Sequence, residues 1–243
     1  MELGLAGRRA AVSASTSGLG LGVARALAHE DVSVAICGRD QSRLSAAAES
    51  IGGAVHPLVA DVSDTDGAVG FVRDAATSLS GPIDILVTNT GGPPAGSFFD
   101  TDLEAYRSTV EQHFMAVVAM CQAVIPDMVE QGWGRIVAVT SMTVREPLPD
   151  VVLSSPGRAA ATAFLKSLSL QVAGTGVTVN TVQPGAHSTP RLAQLYSDEQ
   201  QADLRQGDPD KFGRIVTFLC SDHAEFVNGA NVAVDGGRSA ALP

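Results

Sequence analysis

The 243-residue sequence is short of cysteine, short of positive charge and short of long apolar runs. Only Cys37, Cys121 and Cys220 occur, far apart and each inside an apolar segment. That spacing excludes a disulfide framework and a Cys/His zinc cluster, so no metal site is expected. The thiols read as small buried hydrophobes of a reducing compartment. Lys plus Arg number 16 against 26 Asp plus Glu, a formal net charge of −10. Such a chain lacks the basic face that displaces counterions from nucleic-acid phosphates, and it is equally unsuited to anionic lipid. No uninterrupted apolar stretch reaches membrane-spanning length, and residues 1–9 lack the apolar core of a signal peptide. The expectation is a cytoplasmic protein whose partner is a small molecule, with no nucleic acid and no membrane involved.

What is present is a large apolar fraction, 45% against 17% charged, which excludes a disordered chain. Short apolar runs alternate with segments of helical spacing. The runs predict strands at 10–13, 32–37, 55–60, 83–87, 136–140, 177–182 and 231–234. Helices are predicted at 18–29, 41–50, 66–79, 103–130, 157–173 and 209–220. Continuously apolar strands mark a parallel sheet covered on both faces. No linker, repeat or low-complexity tract divides the chain. The expected fold is one α/β domain over 1–243, a Rossmann-like doubly wound parallel sheet.

After the first predicted strand comes Ser13-Ala14-Ser15-Thr16-Ser17-Gly18-Leu19-Gly20. Gly18 and Gly20 open the first helix, where glycine lets backbone approach a pyrophosphate held by free helix N–H groups and the helix dipole. A plain strand-to-helix turn has the same look, so this turn alone decides nothing. Four further segments add to it. Asp61-Val62 follows the third strand and Asn89-Thr90-Gly91 the fourth. Gln183-Pro184-Gly185 closes the sixth, and Val234-Asp235-Gly236-Gly237 the last. In this order and spacing the chain resembles the short-chain dehydrogenase/reductase family along nearly its whole length.

That resemblance implies a nicotinamide dinucleotide and a set of residues around it. Ser13, Ser15, Ser17, Gly18, Leu19 and Gly20 would form the phosphate turn. Asp61 and Val62 would border the adenine, and Asn89, Thr90 and Gly91 the ribose–pyrophosphate side. Pro184, Gly185 and Thr189 would lie near the carboxamide, with His187 where the family has isoleucine. Ala14 stands where the family has its first glycine, and its methyl is expected to crowd the turn. NAD-preferring members carry an acid after the second strand; here Gly38-Arg39 stands there. A missing carboxylate plus a guanidinium suits a 2′-phosphate, so NADP (NADPH) is the expected cofactor. The bland alternative is a solvated loop arginine.

The family's catalytic groups are Ser, Tyr and Lys, with an Asn on the long helix. Ser141 matches the serine. Ser154 stands where the tyrosine is expected, Arg158 where the lysine is expected, and His113 near the Asn position. An alkyl hydroxyl is far too weak an acid to replace a phenol. Arg158 stays protonated and donates no proton, but its fork suits ribose hydroxyls or an oxyanion. His113 sits on an apolar helix and is as consistent with a core residue as with a proton donor. Gly91-Gly92-Pro93-Pro94-Ala95-Gly96 forms a stiff wall where the family has a plain loop. Together these departures look like a divergent branch resembling 3-oxoacyl-acyl-carrier-protein reductases with the Tyr-x-x-x-Lys pair replaced.

Three functions are consistent with that pattern. One is an NADP(H)-dependent oxidoreductase acting on a carbonyl/alcohol substrate, with Ser141, Ser154 and Arg158 around the substrate oxygen and a proton from water or His113. The second is a catalytically degenerate NADP-binding or regulatory protein. The third is a non-redox dehydratase or isomerase on the same fold. By the same resemblance, residues 188–208 form a substrate lid with apolar contacts from Pro190, Leu192, Leu195 and Tyr196, although the polar stretch 197–211 also suits a solvated helix. The long helices imply a homodimer or homotetramer, with Ala159, Ala160, Ala161 and Ala163 permitting close packing.

Overall fold

In the computed structural model, which describes residues 2–241, seven strands form a single parallel sheet. They are β1 (Arg9–Val12), β2 (Ser33–Gly38), β3 (Val55–Val59), β4 (Ile85–Thr88), β5 (Gly134–Val139), β6 (Val177–Pro184) and β7 (Asn231–Val234). The spatial order is β3-β2-β1-β4-β5-β6-β7, every neighbouring pair parallel. One face is covered by α1 (Gly18–Ala28), α2 (Gln41–Ile51) and α9 (Pro209–Cys220), which bury Val23, Leu27, Leu44, Phe212 and Val216 against β-branched strand residues. The other face is covered by α3 (Thr65–Ser78), α5 (Ala116–Gln131) and α6 (Ser154–Gln171), through Phe71, Val72, Met120, Val124 and Leu165. Burial on both faces is why the central strands β1, β2, β4 and β5 carry apolar runs rather than polar alternation. Cys37, Cys121 and Cys220 are free and buried in these layers, and burial pushes each thiol up to about 12.

The predicted order of elements holds, and the shifted boundaries have local causes. β4 begins at Ile85, just after Asp84, whose amide and carbonyl already bond Arg9 and Arg135 and whose side chain is held in an ion pair. Its carboxylate accepts from the Arg9 amide (2.9 Å), Nε (3.0 Å) and Nη2 (3.2 Å), tying the starts of β1 and β4 together. Helix α6 begins at Ser154, ahead of the predicted residue 157. Pro156 falls in its first turn, where no N–H is required, so the Pro-Gly pair does not break the helix. Ser154 and Arg158 therefore share one helical face, a turn apart.

The predicted helix at 103–130 is α4 (Leu103–Val110), a π turn (Glu111–Met115) and α5 in one continuous run. It is long and apolar enough to cross a membrane, yet Met120, Cys121, Val124 and Met128 are buried against the sheet. Two short helices in the polar segment after β6, α7 (Pro190–Leu195) and α8 (Asp198–Ala202), complete the fold. A capping box built by Ser197 and Gln200 starts α8.

The chain winds outward from β1 in one direction and from β4 in the other, leaving a crevice beyond their C-terminal ends. Two serines fix its floor. Ser13 Oγ donates to the Asn89 carbonyl (2.7 Å) and accepts from the Asn89 amide (2.9 Å). Ser15 Oγ donates to the Val12 carbonyl (2.7 Å) and accepts from the Cys37 amide (3.2 Å). Between them Ala14 has φ of 46°, in the left-handed region that costs a residue with a Cβ on the order of 1 kcal/mol. Ala14→Gly should therefore raise stability by up to about 1 kcal/mol, or roughly 2–4 °C in Tm. Calorimetry showing an unchanged or lower Tm would contradict the strain.

Candidate active site

A cavity of about 280 Å³ opens at the C-terminal ends of β1, β4, β5 and β6. The β1 loop contributes Ser17, Gly18 and Leu19, the N-terminus of α1. Ser17 makes no side-chain cap there and the first turn holds no acid, so the first backbone N–H groups remain free for an anion. Gly18 has φ of 58°, and a methyl on Gly20 would lie 2.7 Å from the Ala14 carbonyl and 2.8 Å from Asn89 Nδ2. The turn is thus a bare-backbone cradle, closed from above by Thr189 beside Gly18. Its donor set fits a dinucleotide pyrophosphate.

Ser13 and Ser15 do not belong to that cradle. Both are fully buried with their hydroxyls spent between strands, which corrects the expectation that they contact a cofactor. Gly20 is likewise buried beneath the turn, and Val62 lies in the core. Asn89, Thr90, Gly91, Pro184, Gly185, His187 and Thr189 all line the cavity. Asn89 Nδ2 also braces the turn by donating to the Ala14 carbonyl (2.9 Å). Further out, Arg39 is 77% exposed and stands 3.8 Å from the Asp61 carboxylate. At Gly38 a Cβ would run into the Thr16 methyl, so an acidic side chain has no room there without displacing Thr16.

The other half of the cavity is built by β5 and α6. Ser141 Oγ accepts from the Thr143 amide (3.1 Å) and the Thr143 hydroxyl (2.9 Å). Its own hydrogen remains available to an oxygen in the cavity. Arg158 reaches across from α6. Nε donates to Ser154 Oγ (3.1 Å), Nη1 to the Val139 (2.8 Å) and Thr140 (3.1 Å) carbonyls, and Nη2 to Thr90 Oγ1 (3.3 Å). Four of its five N–H donors are therefore taken by the protein. The expectation of a free fork is corrected: β5 ends here, and its last carbonyls lack strand partners that Arg158 supplies. Burial, with the Arg191 charge nearby, brings this guanidinium down to about 10, so it keeps its charge at neutral pH.

His113 is also corrected. It sits in the π turn, 2% exposed, behind the cavity wall. Nε2–H donates to the Gly91 carbonyl (3.0 Å), and Nδ1 is buried without a partner. Burial first, then the Arg158 charge, lowers its pKa to about 3. It is a neutral brace for the β4 loop, its one N–H spent on the Gly91 carbonyl. His187 lines the cavity but packs edge-on to Phe212 at 5.1 Å between ring centroids, with Nδ1–H donating to the Gly185 carbonyl (3.2 Å). Burial lowers its pKa as well.

Sequence reasoning missed Arg191, Arg238 and Thr143 as cavity residues. Arg191 had one signal: it lies in the first turn of α7, where the helix dipole disfavours a cation. Nothing in the spacing marked Arg238, which follows β7. Tyr196, expected as a lid contact, also lines the cavity.

Fold and cavity together define a nicotinamide-type oxidoreductase scaffold, and comparison with known proteins gives the family. A family model described as Enoyl-(Acyl carrier protein) reductase matches residues 13–239. The chain is 31% identical to the human protein "Dehydrogenase/reductase SDR family member 4" over 98% of its own length and 90% of that protein's. It is 30% identical to "Nodulation protein G" of Azospirillum brasilense over 94% of this chain and 96% of that one. Among solved structures it is similar to L-sorbose reductase from Gluconobacter frateurii complexed with NADPH and L-sorbose, at TM-score 0.91 and 27% identity with both chains fully covered. A short chain dehydrogenase/reductase family protein gives TM-score 0.87 and 34% identity over 98% of each chain. The chain belongs to the short-chain dehydrogenase/reductase family.

The depressed pKa of His113 has a consequence for stability. The unfolded chain takes up a proton near pH 6.5 that the folded chain refuses until about pH 3. Stability contributed by the neutral ring is thus full above 6.5 and falls as pH drops, by up to about 1.4 kcal/mol per unit. His113→Asn should flatten the decline in Tm between pH 7 and pH 4.5 relative to wild type. Parallel slopes in the two proteins would refute a buried neutral imidazole.

Proposed function

We propose that this chain is an NADP(H)-dependent oxidoreductase interconverting a carbonyl and an alcohol at an atypical site, in which Ser154 and Arg158 stand in for the family's tyrosine and lysine. The observation that carries the proposal is Ser141: fixed at the end of β5 by two bonds from Thr143, it has its own O–H free in the cavity. A reduced nicotinamide, when bound, supplies the hydride. Ser141 donates to the substrate oxygen as negative charge builds on it, a role worth about 10²–10³ in kcat for a preorganised donor. Arg158 adds fixed positive charge, with one N–H left to contribute. Ser154 Oγ, polarised by Arg158 Nε, lends its hydroxyl as a second donor but is too weak an acid to part with the proton. Solvent exchanging with bulk through the open cavity provides that proton and carries away the hydroxide left behind, since the one N–H of neutral His113 is held by the Gly91 carbonyl. Residues 188–208 act as the lid, and Thr189 with Pro184 and Gly185 faces the carboxamide.

NADP is favoured over NAD by the space at Gly38, closed to an acid by Thr16, and by the exposed Arg39 guanidinium. A second reading, a protein that binds the cofactor without chemistry, is favoured by the four Arg158 donors spent on the protein itself.

NADPH should bind several-fold more tightly than NADH, and Arg39→Ala should remove most of that preference. Calorimetric titration with both cofactors checks it, and equal wild-type affinities would count against it. NADPH oxidation in the presence of a panel of ketones, aldehydes and quinones separates the two readings. Ser141→Ala should lower kcat about 10²-fold on any substrate found while leaving NADPH affinity unchanged. Tight NADPH binding with no turnover across the panel would favour the second reading.

A further inference from the structure

The charge inside the cavity runs against the charge of the chain. The protein carries −10 overall, yet its cavity is lined by three arginines, Arg158, Arg191 and Arg238, and by no aspartate or glutamate among the described residues. The arginines that pair with acids lie elsewhere, at 9, 25, 39, 73, 107 and 135. Among the described residues, none of the three cavity arginines has a carboxylate within ion-pair distance.

Arg191 leaves most of its donors uncommitted. Its guanidinium lies over Gly92 of the β4 loop, so close that a Cβ there would overlap Nε. Its one hydrogen bond to another side chain is from Nη1 to Gln194 Oε1, at 3.4 Å. Its charge is felt at Arg158 and at His113, which puts it toward the Ser141–Arg158 end, away from the helix terminus that suits a pyrophosphate. Arg238 reaches the same cavity from the tail after β7, which Glu146 anchors by accepting from Ser239 Oγ (2.8 Å) and the Ala240 amide (2.9 Å). Arg191 and Arg158 are close enough for their charges to act on one another, and no carboxylate among the described residues lines the cavity to offset them, so an anion bound there relieves the repulsion. The remaining wall near them is apolar, with Leu148, Val151, Leu195 and Tyr196.

Resting on the oxidoreductase reading above, we propose that the substrate is an oxo acid, a carbonyl compound with a carboxylate on an apolar carbon frame, and that Arg191 binds that carboxylate. The lid thereby carries its own recognition group: the acid draws α7 down over the cavity while Leu148 and Val151 cover the carbon frame.

Octanoate and octanamide share a frame and differ in charge, which makes them a matched probe pair. Their binding to the NADPH-loaded protein is measured by competition and thermal shift, with NADPH affinity measured separately. Octanoate should bind about tenfold or more tightly than octanamide. Arg191→Met should abolish that difference and leave NADPH affinity within about twofold, while Arg191→Lys should keep part of it. Equal binding of the two probes to wild type would overturn the proposal. So would an Arg191→Met protein that loses NADPH affinity and keeps the octanoate preference, since the guanidinium would then serve the cofactor's phosphates. If wild type fails to bind NADPH, the oxidoreductase reading fails instead, and the same probe comparison on the unliganded protein still decides whether the cavity selects an anion.

Discussion

The cavity depends on a pair of buried hydroxyls. Parallel strands end by leaving backbone donors and acceptors beyond the last ladder bond, and at the centre of this sheet those groups are out of reach of water. Ser13 meets them on the β4 side through Asn89, and Ser15 meets them on the β2 side through Cys37. With both loops fixed, the turn from Ala14 to Gly20 is held open, and Asn89 can brace it from beneath. An alanine at either serine would leave a buried amide or carbonyl without a partner, a cost comparable to a lost core contact.

Arg158 applies the same logic one strand further along. The ends of β5 and α6 are joined by a guanidinium rather than by backbone, through Val139, Thr140, Ser154 and Thr90. A lysine has three donors on a pivoting ammonium and could not span these four acceptors in a plane. The guanidinium therefore gives the site a rigid edge and a permanent charge. It also leaves little capacity for a ligand, and the donors facing the open cavity come from Ser141, Arg191 and Arg238.

Much of this was legible in the sequence because it follows from periodicity and turn chemistry. Continuous apolar runs such as 136–139 marked buried parallel strands, and Gly18 with Gly20 marked the bare-backbone turn. The direction of individual side chains was not legible. Ser13, Ser15 and Ser17 look alike in a row, yet the first two point into the sheet and the third into the cavity. The start of α6 was misread because Pro156-Gly157 resembles a break unless the proline is known to fall in the first turn. Arg191 and Arg238 were missed because they are far apart in the chain, and only the path of α7 and of the segment after β7 brings them to one cavity.

The π turn at Glu111–Met115 inserts a surplus residue into a continuous 29-residue helical run. Each residue advances an α-helix by about 100°, so the surplus resets the phase between α4 and α5. Before it, α4 is mostly exposed; after it, the stripe from Ala116 to Met128 faces the sheet. The turn is also where α6 crosses, with Gly157 against the His113 Cβ. Deleting one residue there would heal the π turn and spoil the protein: His113 would swing out of register and the Gly91 carbonyl would lose its donor. A local imperfection in the ladder is thus the phase-matching device that lets one helix serve both the sheet and the cavity wall.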